Sequence, residues 1–157
     1  MTRSADVRGL YLDDLEVGRT FTTSRRKVTE ADILAFAGLS GDFNALHFDD
    51  EFARTEGLGA RVAHGPCVYA IATGLIVGTG IFDRTNIAFA DLTWSFKAPV
   101  FIDDTIHATL TVESTRPSAS KPDRGVMTSR VEVVNQDGVV VQGGTWTQIQ
   151  RRRPTAA

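Results

Sequence analysis

The residues best suited to chemistry lie in one short run, Ser40-Gly41-Asp42-Phe43-Asn44-Ala45-Leu46-His47. Asp42 and His47 place a carboxylate and an imidazole in one irregular segment. Such a pair is suited to hold a single water between them and to move its protons near neutral pH. The spacing alone does not make a site, because an Asp and a His this close also occur in solvated surface loops. Asn44, between the two, is suited either to orient one of the side chains or to cap the loop. A second candidate is Gly65, in Ala63-His64-Gly65-Pro66. A glycine at the start of a helix lets a ligand approach the backbone, and the helix end adds positive potential there. Pro66 has no N–H, so the next amide is not available. His64 reads as a structural hydrogen-bonding residue, and His107 falls on the polar face of a strand.

The elements that must position these residues are legible from periodicity. Phe21 to Val28 is rich in Thr, Val and Phe and predicts a first strand. Thr29 can cap a helix that carries Asp32 as the reciprocal partner of a capping box and lines one face with Ile33, Phe36 and Ala37. That helix should end near Gly38 or Ser40. Residues 40–64 are the least regular part, with one helical turn expected from Asp50 to Thr55. Pro66 to Thr79 predicts a helix that is apolar almost all round, and a helix without a polar face must be enclosed by protein. The period then switches to two. Ala88, Ala90, Leu92, Trp94 and Phe96 alternate with Phe89, Asp91, Thr93 and Ser95, and Ile106, Ala108, Leu110 and Val112 form a second such set. Met127, Ser129, Val131 and Val133 form the third strand, and Asn135-Gln136-Asp137-Gly138 is a hairpin turn into the fourth, Val139 to Gln150. Residues 116–124 read as an exposed loop. The economical packing is α+β: an antiparallel sheet wrapped around a long central helix. Trp94, Phe96 and Phe101 read as core. A sheet face that one helix cannot cover, with exposed strand edges, predicts a homodimer or dimer-based oligomer.

The 157 residues fit one domain, expected over 10–150, between a loose arm at 1–9 and a tail at 151–157. With 42% apolar and 23% charged residues, a packed core is expected. The net charge of −2 gives no field for nucleic acid. The one basic cluster, Arg151-Arg152-Arg153, reads as a solvated tail. A single cysteine, Cys67, excludes an internal disulfide and a cysteine-rich zinc site, and its apolar neighbours make it a buried thiol. No apolar run reaches membrane-spanning length and the N-terminus lacks a signal-peptide core, so a cytoplasmic location is expected.

The run Phe36 to His47 resembles the hydratase motif of MaoC-like and (R)-specific enoyl-CoA hydratases. Ala63-His64-Gly65 looks like a second signature of that family, and Trp94 to Phe101 followed by Asp103-Asp104 is similar to a third. The order and spacing agree over roughly residues 10–150. The resemblance implies a hot-dog fold, a dimer with the active site near its interface, and an enoyl-CoA or enoyl-acyl-carrier-protein substrate. No cofactor and no metal are implied. It assigns Asp42 to activating a water and His47 to orienting it and sharing in proton transfer, with the Gly65 N–H as oxyanion donor. Thr73 aligns with a small hydroxyl residue near the catalytic pair, suited to bond Asp42 or to bond back to its own helix. Lys97 resembles a lysine able to meet a CoA phosphate. Two departures stand out: Ala45 where the family usually has proline, and Pro66 where an apolar non-proline residue is common. The implied activity is reversible hydration of a 2-enoyl thioester to an (R)-3-hydroxyacyl thioester. A hot-dog thioesterase and a non-catalytic acyl-thioester binding module are the rival readings.

Overall fold

In the computed structural model, residues 8–154 are described. The expected arm therefore lies mostly outside the described residues. Its last two positions are tied down, with the Gly9 N–H donating to Gly80 O at 2.9 Å and Arg8 paired to Asp83 at 3.5 Å.

The chain runs β1 (Thr20–Thr22), β2 (Arg26–Lys27), α1 (Glu30–Ser40), α2 (Asp50–Thr55), α3 (Gly65–Gly78), β3 (Asn86–Phe96), β4 (Thr105–Pro117), β5 (Arg124–Val134) and β6 (Val140–Arg151). The strands form one antiparallel sheet in the order β1-β4-β5-β6-β3, with β2 also paired to β4. The inner face is built as the alternation requires: Ile106, Ala108, Leu110, Val112, Met127, Val131 and Val133 are all buried. Against it α3 lays Cys67, Val68, Ile71, Ala72 and Ile76. The Asn135–Gly138 turn forms as expected, with Gly138 at φ 79°. β4 runs on to Pro117 past a bulge near Glu113, so the exposed loop is shorter than the alternation suggests.

Four expectations are corrected. The first strand is split, because the Thr23 hydroxyl accepts the Ala108 N–H at 2.9 Å in place of a backbone carbonyl. β3 carries irregularities between Asn86 and Ala88 and between Phe89 and Asp91. The extra residue before Asp91 reverses the facing of Ala88 and Phe89, so Phe89 joins Leu92, Trp94 and Phe96 on the helix side and meets Trp146 at 5.1 Å. The central helix is enclosed on one side only: Pro66, Ala70, Gly74 and Val77 are exposed. The basic tail is not simply solvated either. β6 extends to Arg151, and Arg152 and Arg153 pair with Asp13 and Asp14 at 3.0 and 2.6 Å. Among the described residues, no helix is long and apolar enough to cross a membrane.

The capping box of α1 forms as read. Thr29 accepts the Asp32 N–H, and the Asp32 carboxylate accepts the Thr29 N–H and hydroxyl, both at 2.8 Å. Burial works against ionisation of Asp32, but the two Thr29 donors and the Arg26 guanidinium outweigh it and hold the carboxyl below its ordinary value. A depressed carboxyl stabilises the fold above the unfolded pKa, and that share is lost as pH falls through the folded value. Asp32→Asn is therefore expected to cost about 1 kcal/mol at neutral pH. The difference should vanish in acid, where both side chains are neutral. Thermal melts of the two proteins at pH 7 and in acid test this; a gap that persists in acid would place its source elsewhere.

Candidate active site

The segment after α1 is shaped by a sequence of local turns. Gly41 ends the helix in the left-handed region at φ 78°, its N–H donating to Ala37 O at 2.8 Å. The Asp42 N–H donates to Ser40 Oγ, and Asp42 Oδ1 accepts the Asn44 N–H at 3.2 Å. Asn44 Oδ1 in turn accepts the Leu46 N–H at 3.0 Å and caps the short 3₁₀ turn Ala45–His47. Asn44 thus takes the capping alternative. Asp42 stays exposed and His47 half-buried.

His47 is held by the strand-like segment before α3. Its Nδ1 lies 2.7 Å from Val62 O. A carbonyl only accepts, so Nδ1 carries the proton and Nε2 is left with a lone pair. Val62 itself bridges to Phe101, and the Ala63 N–H donates to Val100 O at 2.7 Å. The third sequence signature is the support of this bridge. The Asp104 carboxylate accepts the Phe101 N–H at 2.8 Å, and Asp103 pairs with Lys27.

His64 connects the two halves. It is 1% exposed, its Nε2–H donates to the Asp42 backbone carbonyl at 2.9 Å, and its ring lies on that of His47 with centroids 3.6 Å apart. The structural hydrogen bond expected of it is therefore made to the backbone of the candidate carboxylate. A carboxylate oxygen of Asp42 and one nitrogen from each histidine lie within 4.8 Å of one another. A divalent transition ion can also take such a donor set.

Gly65 opens α3 directly after His64. No side chain caps this helix end, and the N–H of a first helical residue has no acceptor within its own helix. A Cβ at Gly65 would sit 2.7 Å from the Phe96 ring, so only glycine leaves that ring in place. The Gly65 carbonyl, in the peptide that follows, accepts Gln142 Nε2–H at 3.0 Å, while Gln142 Oε1 accepts the Trp94 indole N–H at 3.0 Å. Gln142 is a site residue that sequence reading missed. Its one signal is an amide at a position of β6 that is 2% exposed.

His47, Gly65, Phe96, Lys97, Ala98 and Gln142 line a pocket of about 500 Å³. Phe96 is 60% exposed and forms its wall, which corrects its expected place in the core. Lys97 is exposed on the same pocket. Thr73 is not brought to Asp42. It lies two turns along α3 and its hydroxyl donates to Tyr69 O at 3.0 Å, the back-bonded alternative. Cys67 is buried, and burial with the nearby Asp32 carboxylate pushes its thiol up to about 11, so it carries no thiolate at neutral pH.

Comparison with known proteins places the chain in a family. The model of the MaoC-like domain matches residues 14–136. The (R)-specific enoyl-CoA hydratase of Rhodospirillum rubrum is 30% identical over 142 residues, covering 90% of this chain and 93% of that one. The crystal structure of the MaoC-like dehydratase from Rhodospirillum rubrum aligns with a TM-score of 0.85 at 37% identity, over 94% of this chain and 100% of that chain. A double hotdog-fold protein from Mycobacterium tuberculosis aligns with a TM-score of 0.82 at 19% identity, over 95% of this chain and 46% of that chain, which speaks to fold alone. The chain belongs to the MaoC-like dehydratase family, and its six-stranded antiparallel sheet around α3 is a hot-dog fold.

Proposed function

We propose that the protein adds water reversibly across the 2,3 double bond of an enoyl thioester, giving the (R)-3-hydroxyacyl product. The observation that carries this reading is the fixed tautomer of His47. With Nδ1–H committed to Val62 O, it is Nε2 that accepts in the neutral ring. A water between His47 Nε2 and the Asp42 carboxylate then gives a hydrogen to each acceptor and turns an oxygen lone pair towards C3. Asp42 takes the proton as the C–O bond forms, and a proton is then delivered to C2 as the enolate collapses, so that OH ends on C3, H on C2, and the carboxylate is regenerated. The Gly65 N–H, at the positive end of α3, stabilises the enolate oxygen of the thioester. Lys97, on the pocket at its exposed side, meets a phosphate of CoA. Water chemistry of this kind needs no metal and no redox cofactor.

A homodimer fits the same reading. β3 is an edge strand with Phe89, Leu92 and Phe96 exposed, and the outward face of α3 adds Ala70 and Val77. A second copy covering these faces would close the pocket against water.

The test is loss of the conjugated enoyl-thioester absorbance with crotonyl-CoA, longer enoyl-CoAs and an enoyl-acyl carrier protein. The expected result is hydration without release of free thiol, and chiral analysis should give the (R) alcohol. Free CoA would mark a thioesterase, and binding without turnover an acyl-thioester carrier. Exhaustive dialysis against EDTA is expected to leave the rate unchanged. A loss that added zinc restores would reassign Asp42, His47 and His64 as metal ligands.

A further inference from the structure

The helix-facing side of β6 is polar where a core is expected. Trp146, Gln148 and Gln150 are at most 2% exposed. Among the described residues, the Trp146 indole N–H, the Gln148 amide oxygen, both amide heteroatoms of Gln150, and the hydroxyls of Ser129 and Thr85 are buried without a hydrogen-bond partner. Ser129 lies directly across from Trp146 in the β5–β6 register, and Gln150 is two residues beyond Gln148 on the same face. Each such group left unmade is costly, and native cores hold few of them, so a cluster in one place calls for a polar guest.

The cluster opens on a cavity of about 240 Å³, walled by Thr73, Val77, Phe89, Trp146 and Gln148, with Asp83 also on its lining. Thr73 spends its hydroxyl proton on Tyr69 O, which leaves only acceptor capacity for the cavity. This compartment and the pocket at Gly65 lie along the same seam between α3, β3 and β6. One end is marked by Gly65, Phe96 and Gln142, the other by Thr73, Phe89 and Gln148. Eight helical residues separate Gly65 from Thr73, a rise of about 12 Å. An extended chain advances roughly 1.2 Å per bond, so about ten bonds cover it. Tyr69 and Trp94, with ring centroids 4.8 Å apart, stand between the two ends and offer an apolar surface to a chain.

We propose that this compartment receives the oxygenated end of a medium-length acyl chain, a neutral hydroxyl that accepts from the Trp146 N–H and donates to the Gln148 amide oxygen. A hydroxyl both gives and accepts, so one group satisfies both orphans. A carboxylate is the poorer fit, because the Gln148 amide oxygen needs a donor, which a carboxylate lacks. The inference rests on the hydratase reading for the thioester end, and on the cavity alone for the far end.

The experiment compares kcat/KM for 10-hydroxy-2-decenoyl-CoA and 2-decenoyl-CoA in wild type, Gln148→Leu and Trp146→Phe. Both substrates are measured on one preparation, so any loss of folded protein cancels in the ratio. Wild type is expected to favour the hydroxylated chain about tenfold, and Gln148→Leu to favour the plain alkyl chain, with Trp146→Phe between. Equal rates in wild type, or a preference that survives Gln148→Leu, would overturn the proposal and leave a water-filled polar core only. If no enoyl thioester is hydrated at all, the hydratase reading fails. The compartment is then judged by calorimetric binding of 10-hydroxydecanoyl-CoA against decanoyl-CoA, with the same preference and the same reversal expected.

Discussion

Asp42→Asn is expected to lower kcat for enoyl-CoA hydration by about a thousandfold while leaving KM within a few-fold. The reason lies in how little of the local structure depends on the carboxylate's charge. The backbone of Asp42 is held by His64 Nε2–H at its carbonyl and by Ser40 Oγ at its N–H. Its Oδ1 accepts the Asn44 N–H, which an amide oxygen also does. Asparagine therefore keeps the turn and the shape, and removes only the ability to take a proton. The side chain is exposed, so no buried charge is lost and stability should change by less than about 0.5 kcal/mol. Steady-state kinetics and a thermal melt decide it together. A variant that keeps full activity would remove Asp42 from the chemistry, and one that melts early would show the effect to be structural.

The second large effect is expected at Gly65, and it can be isolated by pairing two substitutions. Proline at the first helical position costs the helix no bond. It does restrict the residue before it to extended conformations, and His64 already sits at φ −56° and ψ 129°. The backbone before residue 65 thus accepts Gly65→Pro, while Pro66 after it disfavours a helical conformation at any residue with a Cβ, which makes the check on α3 part of the test. What resists is the Phe96 ring, which any Cβ would meet at 2.7 Å. Phe96→Ala clears that contact. The comparison of Phe96→Ala with Gly65→Pro/Phe96→Ala then differs in one donor, the Gly65 N–H. Loss of one oxyanion donor lowers kcat by about a hundred- to a thousandfold. The measurement is kcat for both variants on crotonyl-CoA, with circular dichroism showing that α3 persists. Equal rates would mean that the enolate oxygen is met elsewhere.

What was legible in the sequence was local. The Thr29–Asp32 box, the helix end at Ser40, the Asp50–Thr55 turn and the inner sets on β4 and β5 each depend on residues a few positions apart, and all stand where periodicity and cap chemistry put them. The closeness of His47 to Asp42 was legible for the same reason, because one capped turn joins them. What failed depended on partners far along the chain. The bulge before Asp91 leaves no composition signal, so the facing of Phe89 came out reversed. Gln142 reaches the Gly65 carbonyl across 77 positions, and Arg152 reaches Asp13 across 139. Phe96 looked like core because a large apolar residue on an inner strand face usually is, whereas here it walls an open pocket. Thr73 was placed by alignment alone, and the helix geometry that bonds its hydroxyl to Tyr69 decided between its two alternatives.

The His64–Gly65 dipeptide has a consequence for how such a protein can change over time. One residue holds the backbone of Asp42 and rests on His47, and the next carries the amide proposed to meet the enolate oxygen. The proton-handling and charge-stabilising halves therefore share a single mechanical anchor at the start of α3, and neither can drift without disturbing the other. The compartment proposed for the acyl end is built differently, from side chains of β6 and the second half of α3. Selection can rework that end residue by residue while the reaction stays fixed. Lineages built on this scaffold are thus free to exchange the molecules they act on far more readily than the chemistry they perform.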